Sequence, residues 1–92
     1  MLTIVLIAQL AAADCAALED YAEIVMEKRQ AGVSPSTMVD AISAEEYKAA
    51  RQVLSAIILD AYDRPRFSTE EFQQQMVQDF SAEVYLACMT AD

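Results

Sequence analysis

The chain has 92 residues and a formal net charge of -9 at pH 7, which results from fifteen Asp and Glu residues against six Lys and Arg. This length fits one domain, and the excess of acidic residues opposes binding to nucleic acid, whose phosphates repel a negative surface. The chain has no His and one Gly, so imidazole metal ligands, His-activated nucleophiles and glycine-rich phosphate loops are excluded, and we expect a non-enzymatic protein without cofactor or metal.

The first thirteen residues, MLTIVLIAQLAAA, carry no charge and end in three alanines. An apolar run followed by small residues is typical of a secretory signal peptide, although no Lys or Arg precedes the run. The run is too short to span a membrane, which needs about 20 apolar residues. Alternatives are the first turns of a core helix or an uncleaved anchor. We expect a signal peptide over residues 1–13, or a helix extension if the segment is retained, and one helical domain over residues 14–92.

The two cysteines, Cys15 and Cys88, lie near the two ends of the expected mature domain. A pair of cysteines in a small exported domain is typical of a disulfide. Two buried thiols in a cytosolic protein are the alternative, since free cysteine is an ordinary core residue. No CxxC motif is present, so the cysteines do not predict a zinc site. A bridge and a signal peptide would both indicate a periplasmic or secreted protein.

The first two predicted helices are read from helical spacing and capping residues. The first runs from Asp14 to Gln30 and ends before Gly32, which stands where a left-handed residue commonly follows a helix. A short second helix follows, with Ser34 as its N-cap and Pro35 at its first position. The predicted core residues of these helices are Cys15, Leu18, Ala22, Val25, Met26, Met38, Val39 and Ile42.

Two similar hexapeptides, ISAEEY at 42–47 and FSTEEF at 67–72, predict the starts of the third and fourth helices. Each has Ser as the N-cap, Glu three residues later as the second half of a capping box, and apolar residues at both ends as a hydrophobic staple. The third helix should therefore begin after Ser43 and the fourth after Ser68.

The ends of these helices are also predicted. Pro65 cannot continue a helix, so the third helix should end near Tyr62. The fourth should extend to about Met89. Its core stripe is predicted from apolar residues that recur every four positions, namely Phe72, Met76, Phe80, Val84 and Cys88.

No segment alternates with a period of two, so the sequence predicts no strand. The expected fold is an all-α bundle of about four helices, one of them short. Short connections favour antiparallel neighbours. Because the apolar stripes direct both cysteines to the core, a Cys15–Cys88 disulfide would join the first and last helices.

One loop is the best candidate for recognition of a partner. Arg64 and Arg66 flank Pro65 in an otherwise acidic chain, and Tyr62 and Phe67 stand beside them. Aromatic residues and arginine are typical anchors of protein interfaces, and loops on rigid helices often carry function. The alternative is structural, with Arg64 near a helix C-terminus and Arg66 paired with an acidic residue at the start of the fourth helix.

The chain also resembles one group of proteins in the order of certain residues, which are Cys15, Ala22, Ile24, Met26, Arg29-Gln30, Gly32, Ala61-Tyr62, Pro65-Arg66-Phe67, Glu71, Asp79-Phe80, Glu83 and Cys88. The group comprises small, signal-peptide-bearing helical proteins of proteobacteria and their phages. The resemblance implies export, a Cys15–Cys88 bridge and a helical fold, but no activity. We expect a protein-binding or regulatory module of the cell envelope, in envelope or phage-linked biology. The alternative is an acid-responsive periplasmic chaperone, on a looser architectural likeness to chaperones of the HdeA and HdeB type.

Overall fold

The computed structural model describes residues 15–90, which form four α-helices: α1 (Cys15–Gln30), α2 (Pro35–Ala41), α3 (Lys48–Tyr62) and α4 (Glu70–Thr90). This part of the chain contains no strand. The predicted all-α fold with one short helix is therefore confirmed. The expected signal peptide, residues 1–13, lies outside the described residues.

The end of α1 follows from its sequence. Gly32 adopts a φ of 87°, which a residue with a Cβ rarely tolerates. The amide of Gly32 donates to the carbonyl of Arg29 at 3.1 Å, and the amide of Val33 donates to Lys28 at 3.0 Å. This pair of bonds is the Schellman motif, and it satisfies two carbonyls that the last turn of a helix leaves open. The predicted role of Gly32 is confirmed.

Helix α2 begins as predicted, but α3 does not. The Ser34 hydroxyl accepts a hydrogen bond from the Thr37 amide at 3.3 Å, and Pro35 is the first helical residue. Ser43, the predicted N-cap of α3, instead continues the end of α2, because its hydroxyl donates to the Asp40 carbonyl at 2.7 Å. Helix α3 starts only at Lys48, and its N-cap residue Tyr47 makes no side-chain capping bond. The capping box predicted at Ser43 was wrong.

The start of α4 is displaced by one residue from its predicted position. Thr69, and not Ser68, supplies the cap, since its hydroxyl accepts a bond from the Phe72 amide at 3.3 Å. The predicted apolar contact across this turn does form, because the Phe67 and Phe72 ring centroids lie 5.9 Å apart.

The predicted core stripe of α4 holds only in part. Phe80, Val84 and Cys88 are buried, but Phe72 is 56% exposed. Residues four apart advance by about 40° around a helix of 3.6 residues per turn. Over the four steps from position 72 to position 88 this drift carries Phe72 off the buried face.

The bundle is built around an antiparallel pair. Helix α1 packs most extensively on α4 and less on α3, and α2 packs on α3. Cys15 and Cys88 form the predicted disulfide at one end of the α1–α4 pair, with their Cα atoms 5.5 Å apart. The core beneath this pair contains Leu18, Ala22, Val25, Met26, Met38, Ile42, Val53, Ile57, Ile58, Ala61, Phe80 and Val84.

Candidate functional site

The predicted recognition loop, residues 62–67, is fastened to the C-terminal end of α1 by the side chain of Gln30. This side chain is almost fully buried, with the residue 3% exposed. Its amide nitrogen donates to the Pro65 carbonyl at 2.9 Å, and its amide oxygen accepts a bond from the Phe67 amide at 2.8 Å. Both ends of one side-chain amide are therefore satisfied by loop backbone, as a buried polar group requires. We call Gln30 and these two backbone partners the Gln30 clasp.

Two arginines add to this attachment from opposite sides. Arg29 on α1 donates through Nε and Nη2 to the Arg64 carbonyl, at 3.2 and 3.0 Å. Arg66 in the loop donates through Nε to the Gln30 carbonyl at 3.3 Å. A guanidinium at the C-terminus of a helix also interacts favourably with the helix dipole. The pairing of Arg66 with an acidic residue of α4, expected as the structural alternative, is not found among residues 15–90.

Tyr62 connects the end of α3 to the residues that follow α1. Its hydroxyl donates to the Val33 carbonyl at 2.6 Å, and the Arg29 guanidinium lies 5.3 Å from its ring centroid, a cation–π contact. Burial raises the pKa of Tyr62, an effect that the nearby charge of Arg29 partly offsets. The phenol therefore stays protonated at neutral pH and serves as a hydrogen-bond donor.

Arg64 connects α3 to α4 through charge. Its guanidinium contacts Glu83 at 2.6 Å and Asp60 at 3.3 Å, and it lies 5.1 Å from the Phe80 ring centroid. The Asp60 side chain is 3% exposed and that of Glu83 is 47% exposed. Burial raises the pKa of Asp60 above its usual value, although the attraction and hydrogen bond of Arg64 act to lower it. Arg64 therefore offsets part of the cost of burying this carboxylate.

The structure thus brings the five predicted recognition residues together, and three of them make internal bonds through their side chains. Tyr62, Arg64 and Arg66 are held by the contacts described above, while Pro65 and Arg66 are exposed to solvent. Phe67 is partly buried beside Phe72. Recognition by this loop stays a prediction, with Pro65, Arg66 and the Phe67–Phe72 pair as its accessible parts.

A first open groove lies between α1 and α4, with a volume of about 490 Å³. It is lined by three glutamates and four glutamines with two small apolar residues, namely Glu23, Glu27, Glu70, Gln30, Gln73, Gln74, Gln78, Ala31 and Val77. Its charge has the same sign as that of the whole chain. A solvated acidic face accounts for this groove.

A second open groove of about 520 Å³ lies between α2 and α3, and we call it the α2–α3 groove. Its lining residues are Val39, Ile42 and Ser43 from the α2 side, and Lys48, Arg51, Gln52, Ser55, Ala56 and Leu59 from α3. Ile42 and Ala56 are buried, whereas Val39 is 41% and Leu59 59% exposed. The lining includes two cations and no carboxylate, so its charge is opposite to that of the whole chain.

Sequence reasoning missed both Gln30 and the α2–α3 groove. The length of helix one locates Gln30 at its last turn, but only the tertiary structure shows which carbonyls the side chain meets. The sequence of α3 does contain one indication of this groove. Lys48 and Leu59 are eleven positions apart, which places them on the same face of a helix, and this face carries an exposed leucine and no acidic residue.

Comparisons with protein-family models, with curated proteins and with solved structures find no match for this chain. Within residues 15–90, no helix is long and apolar enough to cross a membrane. The same residues contain no group of three or more acidic or cysteine side chains placed to hold a metal ion.

Proposed function

We propose that this chain is a non-enzymatic protein-binding module that acts in the periplasm or outside the cell. The disulfide is compatible with an oxidising compartment, where such bonds persist. The α1–α4 pair is joined at one end by this bond, and at the other end the Gln30 clasp joins α1 to the loop that leads into α4. A scaffold that is held at both ends suits a binding surface, because little conformational freedom is lost when a partner docks.

The observation that carries this proposal is the open α2–α3 groove, with Val39 and Leu59 exposed beside two cations. Both apolar side chains line one open groove together with hydrogen-bonding and charged groups, and we take this groove as the binding surface. The groove is a surface cleft, which suits a macromolecular segment better than an enclosed small ligand.

The alternative, an acid-responsive chaperone, needs the helices to loosen when carboxylates are protonated. Among residues 15–90 the buried carboxylate is Asp60, whose pKa is raised by burial. Protonation of such a group relieves an unfavourable buried charge and favours the folded state. This local effect opposes acid-induced opening, whereas the open α2–α3 groove supports a binding module.

The test is site-specific photo-crosslinking in the cells that produce the protein. A photoreactive phenylalanine analogue replaces one exposed apolar residue at a time: Leu59 in the α2–α3 groove, Phe72 beside the predicted recognition loop, or Leu86 on α4. We expect an adduct with another protein from at least one position, recovered from the periplasmic or secreted fraction. Absence of a protein adduct at all three positions contradicts the binding function, and adducts found only in the cytoplasm contradict the compartment.

A further inference from the structure

The charge of the α2–α3 groove is opposite to the net charge of the protein. Lys48 and Arg51 account for two of the six basic residues of a chain whose net charge is -9, and the groove lining holds no Asp or Glu. Neither side chain forms an ion pair within residues 15–90. Arg51 donates to the backbone carbonyl of Glu45, which leaves its charge unneutralised.

These two cations also occupy an unfavourable place on their helix. Both fall within the first four residues of α3, where the helix dipole disfavours positive charge. The same turn lacks an acidic residue and a side-chain cap. Local sequence choices that oppose helix stability are most often found where a residue serves a function. The Glu45 carboxylate accepts a bond from the Tyr47 amide at 3.2 Å but forms no ion pair with either cation within residues 15–90, so an anionic group on a partner could pair with both.

The apolar part of the groove lies at a fixed distance from these cations. Lys48 and Leu59 share one face of α3, and eleven residues at 1.5 Å each separate them by about 16 Å along the helix. Between them, Gln52 and Ser55 present hydrogen-bonding side chains to the groove. A suitable occupant therefore has a carboxylate at one end, an apolar side chain about three turns away, and polar groups between them.

We propose that the α2–α3 groove binds an amphipathic helix of a partner protein that carries a carboxylate at Lys48 and Arg51 and an apolar side chain against Val39 and Leu59. This inference rests on the proposed binding function and names the surface and the class of partner. Helices that dock in grooves present apolar anchors on one face, about one or two turns apart. Complementary charge at the edge of the groove would fix their direction.

Other occupants match these features less well. The uncharged residues 1–13 of this chain supply no carboxylate for the two cations. A second copy has the same net charge of -9 over its whole chain, so the two molecules repel each other overall. An acyl chain has no hydrogen-bonding group to pair with Gln52 and Ser55 in the middle of the groove. The experiment below gives a different result for each of these occupants.

The test combines the crosslinking probe at position 59 with a charge reversal and a matched control. Lys48→Glu reverses a cation of the groove, whereas Lys28→Glu makes the same change at an exposed lysine of α1. Because like charges oppose docking, we expect Lys48→Glu to lower the yield of the adduct about tenfold or more, whereas Lys28→Glu should leave it within about twofold. Mass spectrometry of the adduct should identify an amphipathic helical segment with a carboxylate.

Several outcomes would overturn this inference. Adducts at position 72 or 86 with none at position 59 would preserve the proposed function and reject the groove. Equal yields from the two lysine variants would reject the role of charge. An adduct with a second copy of the chain, with residues 1–13 or with a lipid would identify a different occupant. The urea midpoint of each variant is measured alongside, and a midpoint equal to or above that of the wild type shows that any loss of adduct does not reflect unfolding.

Discussion

The chemistry of Asp60 shows how one buried side chain ties the stability of this protein to pH. Its carboxylate is shielded from solvent beneath Arg64, with Glu83 on α4 and Asp63 at the end of α3 as further negative neighbours. Burial is the largest influence on its pKa and outweighs the attraction of Arg64, so the pKa of the folded state is raised. The neutral acid is consequently easier to accommodate in this site than the carboxylate.

The sign of the resulting pH dependence follows from proton linkage. The folded state binds a proton at Asp60 over the window between the unfolded pKa, about 3.9, and the raised folded pKa. Stability from this group therefore increases as pH falls through the folded pKa and is lost as pH rises through it. Asp60→Asn removes the titration and keeps an oxygen for Arg64. We therefore compare the free energy of unfolding of Asp60→Asn with that of the wild type. We expect the difference, variant minus wild type, to be larger at pH 7 than at pH 4.

Urea unfolding of both proteins at the two pH values measures this difference. Asp20→Asn, which removes an exposed carboxylate of α1 that is not among the groups acting on the pKa of Asp60, is the control for general changes in net charge. A difference between Asp60→Asn and wild type that is equal at the two pH values, or larger at pH 4, contradicts the assigned role of burial.

At the level of an element, the start of α4 shows which of two adjacent hydroxyl residues is the N-cap. Thr69 accepts the capping bond from the Phe72 amide at 3.3 Å, while Ser68 lies one residue before the cap. Loss of an N-cap hydroxyl typically costs about 1 kcal/mol. Thr69→Ala should therefore lower the free energy of unfolding by about 1 kcal/mol, whereas Ser68→Ala should change it by less than about 0.5 kcal/mol. Chemical denaturation of the two variants decides between the positions, and a larger loss from Ser68→Ala would return the cap to the position that the sequence predicts.

The displaced caps show why some parts of this fold follow from the sequence and others do not. Gly32, Ser34 and Pro35 act through bonds within a few residues, so local rules place them correctly. Ser43 obeys the same local rule, but its hydroxyl bonds to Asp40 at the end of the preceding helix. The Ser43 amide donates to the same Asp40 carbonyl at 3.2 Å, so the backbone of Ser43 belongs to the turn that ends α2. A local motif therefore predicts an element only where the preceding element leaves the backbone of the cap residue free.

The same reasoning separates the predictable and unpredictable parts of the candidate sites. Residue type and spacing identify Arg64 and Arg66 as unusual cations. Their partners, Glu83 on α4 and the Gln30 carbonyl on α1, are 19 and 36 residues away in sequence. The α2–α3 groove likewise depends on how a seven-residue helix lies against α3, which no local pattern determines.

At the scale of the whole molecule, the disulfide joins one end of α1 to α4, and the Gln30 clasp joins the other end of α1 to the loop that leads into α4. The clasp uses hydrogen bonds that form only in the folded state, whereas the disulfide also restricts the unfolded chain. The closed loop is long, with a sequence separation of 73 residues. On the chain-entropy model a loop of this size stabilises the fold by about 4 kcal/mol. This is a large part of the total stability of about 5–15 kcal/mol that is usual for a single domain.

We therefore expect reduction of the disulfide to lower the free energy of unfolding by about 4 kcal/mol without a change of fold. The comparison is between oxidised and reduced wild-type protein, because every side chain stays in place and only the bond is broken. Urea titration followed by circular dichroism measures both forms, and a double variant, Cys15→Ala with Cys88→Ala, should behave as the reduced form apart from the small cavity it leaves. Equal urea midpoints for the oxidised and reduced protein would mean that core packing and the clasp alone hold α1 against α4, and that the bond adds little to a pair already fixed at its other end.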